Sequence, residues 1–401
     1  MDDNLKILVI SDLHAHSLSP RDKESPSLLS SMAEEEPTKN PFTGFISLVN
    51  EKEISADILL CAGDICDKGD YAGMKYAWQK FHELGKAANT NHVYATAGNH
   101  DMDSRYKNSN YNAQGMLQSL VTKFPLDDEA MFNHYWARKY VITEAENWRL
   151  VLLNSAAYHG GGKDQGAEFE HGRISPQTVK DLLEKLRKSD EKKINILLTH
   201  HHLMRNTEIH ENNYSEMQGA DELLRNLSSG EYGEWLVIHG HMHVPNLNYS
   251  AGGSVAPLIF TAGSFSVTLD KESATKTNNQ AYLVDLEMRN NLGNISNIAG
   301  NIHCWDWTYG MGWSESLAGS VFPNPTGFGF RGTINSLVDK INKLLNGDDQ
   351  TYYKWDELLT EIPELNYVLH TDLKLIVSKL AKNNVEITED KFGRIIEIGK
   401  K

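Results

Sequence analysis

The chain has 401 residues, 40% of them hydrophobic and 23% charged, with a net charge of −15 and three cysteines. That length fits one large domain with an appendage, or two domains, and the apolar fraction suffices for a sizeable core. The acidic balance disfavours a protein that coats nucleic acid or an anionic membrane, and the odd, scattered cysteines exclude a disulfide framework and predict a reducing, cytoplasmic setting. Met1-Asp-Asp-Asn4 runs straight into a strand-like segment without a basic, apolar leader, and no apolar run reaches about 18 residues, so neither export nor membrane spanning is expected.

In chain order, Leu5–Ile10 reads as a buried strand ending at Ser11-Asp12-Leu13-His14. Residues 15–42, rich in Ser, Pro, Glu and Lys, read as an irregular insertion or mobile loop. A helix over 42–53 leads to a second strand, 57–62, which ends in Gly63-Asp64-Ile65-Cys66-Asp67-Lys68-Gly69. Met74, Ala77, Trp78, Phe81 and Leu84 lie at helical spacing, and a third strand, 92–97, ends in Gly98-Asn99-His100-Asp101. Residues 102–135 show no clear period. A strand over 149–153 precedes a Gly-rich loop beginning at His159; Ser175-Pro176 starts a helix with an apolar stripe at Val179, Leu182, Leu183 and Leu186. The strand 194–199 ends in His200-His201-His202, a short helix is expected over 218–227, and the strand 235–238 ends in His239-Gly240-His241-Met242-His243. Two more strands are expected near 258–261 and 281–286.

Strands alternating with helices argue for an α/β domain over 1–300. From Cys304 the composition shifts, and 301–332 reads as an aromatic, Gly-rich linker. Residues 333–401 read as a small helical module closed by a hairpin, 385–387 against 395–398. From Gly347 onward this module holds 11 acidic and 8 basic residues, so it shows no DNA-binding face and reads as a docking or self-association module for a protein partner. Trp305 to Phe330 could stack nucleobases or, more simply, pack between domains.

Five strand candidates each end in residues of metal-ligand type: Asp12 and His14, Asp64, Asn99, His200, and His241 with His243. In open α/β sheets ligands bind beyond the carboxyl ends of the strands. Each motif alone has a bland reading as turn chemistry. Together they supply two Asp, one Asn and four His, more than one tetrahedral ion needs and suited to two ions sharing a carboxylate. Oxygen and nitrogen donors without thiolate point to Mn, Fe, Zn or Ni/Co. His239 reads as a strand-end residue, His16, His159 and His210 as solvated loop histidines, and Cys66 as a small buried filler.

Asp-x-His (12–14), Gly-Asp-x-x-Asp (63–67), Gly-Asn-His-Asp (98–101), His200 and Gly-His-x-His (240–243) resemble, in order, the motifs of the calcineurin-like metallophosphoesterase superfamily, over roughly residues 5–290. The resemblance implies a four-layer α/β/β/α sandwich with a small α+β C-terminal appendage, and a dinuclear centre of two divalent metal ions. It implies that Asp12, His14 and His243 hold one metal with a bridging Asp64, and that Asn99, His200 and His241 hold the other. His200 is taken over His201 because it directly follows the strand. His100, held by Asp67, would face the phosphate and leaving group as acid. The implied reaction is hydrolysis of a phosphate ester, most simply a phosphodiester of nucleotide or nucleic-acid type, by a metal-activated hydroxide. Alternatives are a DNA nuclease of the break-repair type, a phosphomonoesterase or protein phosphatase, and a non-catalytic scaffold. Lys68 and Asp101, where Ser/Thr protein phosphatases resembling this pattern have Arg and Glu, weaken the protein-phosphatase reading.

Overall fold

The computed structural model describes residues 4–19, 22, 24–161, 171–205, 215–251, 255–269, 277–287, 293–320, 322–347 and 351–400. The chain divides into two compact units, one of Lys6–Tyr282 with Asp306–Ser314, the other of the residues up to Leu5, Leu283–Trp305 and everything from Glu315 onward.

The larger unit begins with β1 (Asn4–Ile10), α1 (Pro41–Glu51), β2 (Ile58–Cys61), α2 (Tyr71–Ala87) and β3 (His92–Ala95). β1, β2 and β3 pair in parallel, with Ile7 opposite Ile58 and Ile58 opposite His92. β2 is buried along its whole length, as expected of a parallel strand covered on both faces. The helices start where capping chemistry dictates: Asn40 accepts from the backbone N–H of Phe42 and Thr43 ahead of α1, and Asp70 from Gly73 ahead of α2.

The chain continues through α3 (Gly115–Gln118), α4 (Glu129–Arg138), β4 (Tyr140–Glu144), β5 (Trp148–Leu153), α5 (Pro176–Lys188), β6 (Ile194–Leu198), α6 (Ala220–Leu227), β7 (Trp235–His239), β8 (Asn246–Tyr249) and β9 (Leu258–Thr261). A second sheet has the order β4-β5-β6-β7-β9-β8, its four central strands parallel and its two edges antiparallel. Val179, Leu182 and Leu186 of α5 and Leu223 of α6 pack on Val151, Leu197, Val237 and Ile259, the outward face of this sheet. Two sheets with helices outside them form the α/β/β/α sandwich. The hydroxyl of Thr96, just past β3, donates to the carbonyl of Leu153 at the end of β5 at 2.7 Å, so strand ends of the two sheets meet.

The described residues of 15–40 carry no helix or strand, but they are tied down: His16 N–H donates to Leu29 O, Ser27 Oγ to His14 O at 2.9 Å, and Leu28 N–H to Ser266 O. His16 is buried rather than solvated. β4, α4 and β8 escape a reading by periodicity because each is short and only partly apolar.

The smaller unit includes parts of β10 (Asn279–Glu287) and β11 (Ile295–Thr308) and the last residue of β12 (Gly312–Glu315), followed by β13 (Thr326–Phe330), α7 (Ile334–Asn346), β14 (Tyr352–Lys354), α8 (Trp355–Glu361), a 3-10 turn over Pro363–Tyr367, α9 (His370–Lys382), β15 (Val385–Glu389) and β16 (Ile395–Lys400). β13 runs antiparallel to β11, and β14-β16-β15 form a separate sheet. Its core joins Ile295 and Ala299 of β11, Leu337 and Ile341 of α7, Leu358 of α8, Ile376 and Leu380 of α9, and Ile398. The stretch 301–332, expected as a linker, thus carries the end of β11 and all of β12 and β13. Tyr309 is exposed, but the tryptophans pack: within the larger unit, Trp313 lies 5.0 Å from Phe45 and 5.4 Å from Trp307 between ring centres, and its indole N–H donates to Pro41 O. Among the described residues no helix is long and apolar enough to cross a membrane.

Candidate metal centre

The segments leaving β1, β2, β3, β6 and β7 converge within the larger unit. Their backbones are bent to do so. Asp12, His14, Asp64, His241 and His243 all have positive φ, between 47° and 72°, a left-handed conformation that costs a non-glycine residue on the order of 1–3 kcal/mol. Cross-strand hydrogen bonds hold the bend: Asp12 N–H reaches Gly63 O, and the N–H groups of Leu13 and His14 both reach Asp64 O at 2.8 and 2.9 Å. Two glycines allow the close approach. A Cβ on Gly98 would stand 2.1 Å from Asp64 Oδ1, and one on Gly240 would stand 2.1 Å from Ser11 Oγ.

Two groups of donors result, with Asp64 between them. In the first, Asp12, His14 and His243 bring a ligand-type atom each within 4.8 Å of one another. His14 Nε2 lies 3.2 Å from His243 Nε2, and His243 Nε2 lies 3.4 Å from Asp12 Oδ1. In the second, Asn99 Oδ1 lies 3.1 Å from His200 Nε2 and 3.2 Å from His241 Nδ1. Asp64 Oδ2 stands 3.5 Å from His14 Nε2 and 3.3 Å from His200 Nε2, so one oxygen faces both groups. His100 and His243 are partly exposed, their side chains by 27% and 32%, against 5% for His14 and none for His200. His100 Nδ1 is 2.7 Å from Asp67 Oδ1, and that same oxygen lies 3.6 Å from His14 Nδ1.

The electrostatics are those of buried acids paired with imidazoles. Burial by itself would raise the Asp12 carboxyl, but hydrogen bonding and the charge of His243 bring it down to about 2. Asp64 is held well below its usual range, against burial, by the charges of His200 and His100. His200 is raised to about 9 because Asp64 outweighs the cost of burying its charge. Burial and the neighbouring His200 push His241 far down, leaving it neutral.

A layer behind these residues fixes them. Ser11 Oγ donates to Asp12 Oδ2 at 2.7 Å and the His241 N–H to both Asp12 oxygens. Asp101 is fully buried and accepts from the N–H groups of Cys66 and Gly98, both at 2.9 Å, so it ties the second motif to the third and does not face a substrate. Burial and the charge of Asp64 raise it to about 7. Ser264 and Ser266, past β9, donate to the carbonyls of Asp12 and Leu13. Their role is invisible in a list of ligand-type residues; a sixth strand end, Ala262-Gly263-Ser264, was the available signal. His239 is engaged at both ring nitrogens, with Gly240 O and Thr261 Oγ1. His159, expected as a solvated loop residue, is 3% exposed and contacts His171 O through Nε2. His210 lies outside the described residues.

These residues suit divalent cations by their own chemistry. The ion-pair partners of Asp12 and Asp64 among the described residues are imidazoles, so their buried negative charge has no permanent cation. His200 Nδ1 engages Ala62 O at 2.8 Å, which leaves Nε2 facing Asn99 Oδ1, lone pair against lone pair once His200 is neutral, with His241 Nδ1 3.3 Å away. A raised His200 shows that the cluster recruits positive charge; a metal ion supplies it without a proton.

Strand-end carboxylates, an amide and imidazoles gathered around a shared Asp define a metal-dependent hydrolase with a two-cation centre. Residues 5–245 match the family model of calcineurin-like phosphoesterases, and residues 326–382 match a second model, wHTH-Calcineurin_assc. The chain belongs to the calcineurin-like phosphoesterase family, whose centre uses two divalent metal ions, and carries a C-terminal winged helix-turn-helix module. Similar solved structures include a conserved protein of Streptococcus pneumoniae TIGR4 described as a predicted phosphoesterase (11% identity, 78% of this chain and 97% of that one, TM-score 0.29). Others are the phosphopantetheinyl hydrolase of Mycobacterium tuberculosis (11%, 66% and 91%, 0.32) and a 5'-nucleotidase precursor of Thermus thermophilus (11%, 71% and 51%, 0.34). No curated protein matches the chain.

Proposed function

We propose that this phosphoesterase hydrolyses phosphodiesters of nucleotide or nucleic-acid type, with Asp12, His14, His243 and Asp64 holding one divalent cation and Asn99, His200, His241 and Asp64 the other. When bound, the metal pair supplies Lewis acidity toward the phosphoryl oxygens and toward the water that attacks phosphorus. The remaining work falls to the chain. His100, partly exposed and engaged through Nδ1 by Asp67, is the proton donor to the departing oxygen. Burial disfavours the charged imidazole; Asp67, engaging Nδ1, favours it and leaves the Nε2 proton for the leaving group. Asp64, whose Oδ2 faces both donor groups, fits the shared ligand.

The observation that carries the diester reading is Lys68. Its side chain is 47% exposed and its ammonium lies 3.6 Å from Asp67 Oδ2, so its charge is partly compensated beside His100. A single, half-neutralised point charge suits the one negative charge of a diester better than the two of a monoester, and lacks the bidentate fork an arginine would offer. Mixed N/O donors support Mn, Fe, Zn or Ni/Co, and three unpaired buried cysteines support a cytoplasmic setting. The winged module is the natural place for a protein partner or self-association.

The test is to load the chelator-stripped protein with Mn, Fe, Zn or Ni and compare bis-p-nitrophenyl phosphate with p-nitrophenyl phosphate, then cyclic nucleotides, linear DNA and phosphopeptides. The proposal expects faster turnover of the diester and loss of that turnover in Asp64→Asn. A preference for the monoester or for phosphopeptides would replace it with the phosphatase reading, and cleavage confined to DNA ends would narrow it to a nuclease.

A further inference from the structure

The mechanism makes no use of His201, yet this ring is the most constrained in the centre. It is fully buried, and its Nδ1 lies 2.8 Å from Ser155 Oγ at the end of β5, an oxygen that also accepts the His201 N–H at 3.2 Å. His159 stacks on it at 5.5 Å with 22° between the planes. Gly172 lies against its other atoms so closely that a Cβ there would stand 2.5 Å from His201 Cγ. Among the described residues Nε2 has no hydrogen-bond partner. A buried structural histidine normally satisfies both ring nitrogens, as His239 does at the end of the neighbouring strand. What surrounds the unused edge is imidazole: the ring centre lies 4.9 Å from that of His200 and 4.6 Å from that of His241, and one ligand-type nitrogen of each of the three falls within 4.8 Å of the others. Since Ser155 occupies Nδ1, the available nitrogen of His201 is Nε2.

We propose that His201 Nε2 is a further nitrogen donor to the cation position built by Asn99, His200 and His241, with Ser155 as the residue that orients it. The inference rests on the two-cation reading above. It makes this position richer in imidazole than the one at Asp12, His14 and His243, and so the tighter of the two for borderline metals such as Zn and Co.

The test uses the full-length, chelator-stripped chain and Co(II) alone, followed by calorimetry and visible absorption, in wild type, His201→Gln, His201→Ala and Ser155→Ala. The expected result is two equivalents in wild type. In both His201 variants one site should weaken by about 10- to 100-fold and its Co(II) absorption should change; Ser155→Ala, which keeps the ring but loosens its hold, should weaken the same site less. Binding and spectra identical to wild type in folded His201→Gln and Ser155→Ala overturn the proposal and leave His201 a packing residue. A wild type that takes up no Co(II) overturns the two-cation reading itself, which separates the two failures.

Discussion

One carboxylate oxygen, Asp67 Oδ1, serves two histidines of different duty: it lies 2.7 Å from His100 Nδ1 and 3.6 Å from His14 Nδ1. His100 is the proposed acid and His14 a proposed ligand, so Asp67 couples the proton donor to the metal position. Burial alone would lower the His100 pKa; Asp64 and Asp67 together raise it above its ordinary value. Asp67→Asn should therefore lower kcat by about 10- to 100-fold and move the alkaline limb of its pH profile to lower pH. The sign follows from the donor: the protonated form is active, and without the carboxylate it loses its proton earlier. His100→Gln should cost about 10²- to 10⁴-fold and abolish that limb. A pH-rate profile on an aryl diester checks both.

Gly98→Ala tests the close approach of the third motif to the second. The added methyl would stand 2.1 Å from Asp64 Oδ1 and 2.4 Å from the Asp64 backbone nitrogen, so either Asp64 or the backbone must shift. We expect metal content below one equivalent by elemental analysis and a destabilisation of about 1–3 kcal/mol from overpacking. Unchanged metal content would show that the site relaxes around the methyl.

Metal removal should destabilise the larger unit selectively. Asp12 and Asp64 are buried, and the described partners of their charge are imidazoles. A cation present at about 100-fold over its Kd adds roughly 2.7 kcal/mol to the state that binds it. For a unit of this size that is a fall in Tm of several degrees, about 2–4 °C per kcal/mol, on chelation. Calorimetry with and without chelator should show the shift in the transition of the larger unit and not in that of the smaller, where no such cluster occurs among the described residues.

The winged module carries its own pH dependence at His370, the first residue of α9. Burial, then the charge of Lys374, lowers its pKa from 6.5 to about 4, and Nε2 is buried without a described partner. Between those values the unfolded chain binds more protons than the folded one, so stability is full above 6.5 and falls as pH drops toward 4. Complete linkage would amount to roughly 3 kcal/mol; partial exposure reduces this to about 1 kcal/mol. Melting of the smaller unit at pH 7 and pH 5 should show the loss, and His370→Gln should flatten it.

Sequence patterning alone determined an α/β domain and placed ligand-type residues at its strand ends; the four-layer sandwich followed from the resemblance of those motifs to a known family. Parallel strands buried on both faces read as unbroken apolar runs, and ligand-type residues directly after them stay close to the strand that carries them. Asp12, His14, Asp64, Asn99, His200, His241 and His243 were legible for that reason. Elements that depend on their neighbours were not: the end of β11, β12 and β13 read as a linker because Trp305, Trp307 and Gly327 look like loop composition until a partner strand pairs with them. Asp101 looked like a marker of substrate class, and only folding showed that it clamps Cys66 to Gly98. His201 looked like a rival to His200. Adjacent residues leaving a strand diverge, and the rings end in different surroundings: His200 between Ala62 O and Asn99, His201 against Ser155 and His159. Tertiary structure decided these roles because each depends on a partner from a distant strand end, and no local pattern encodes which distant groups will meet.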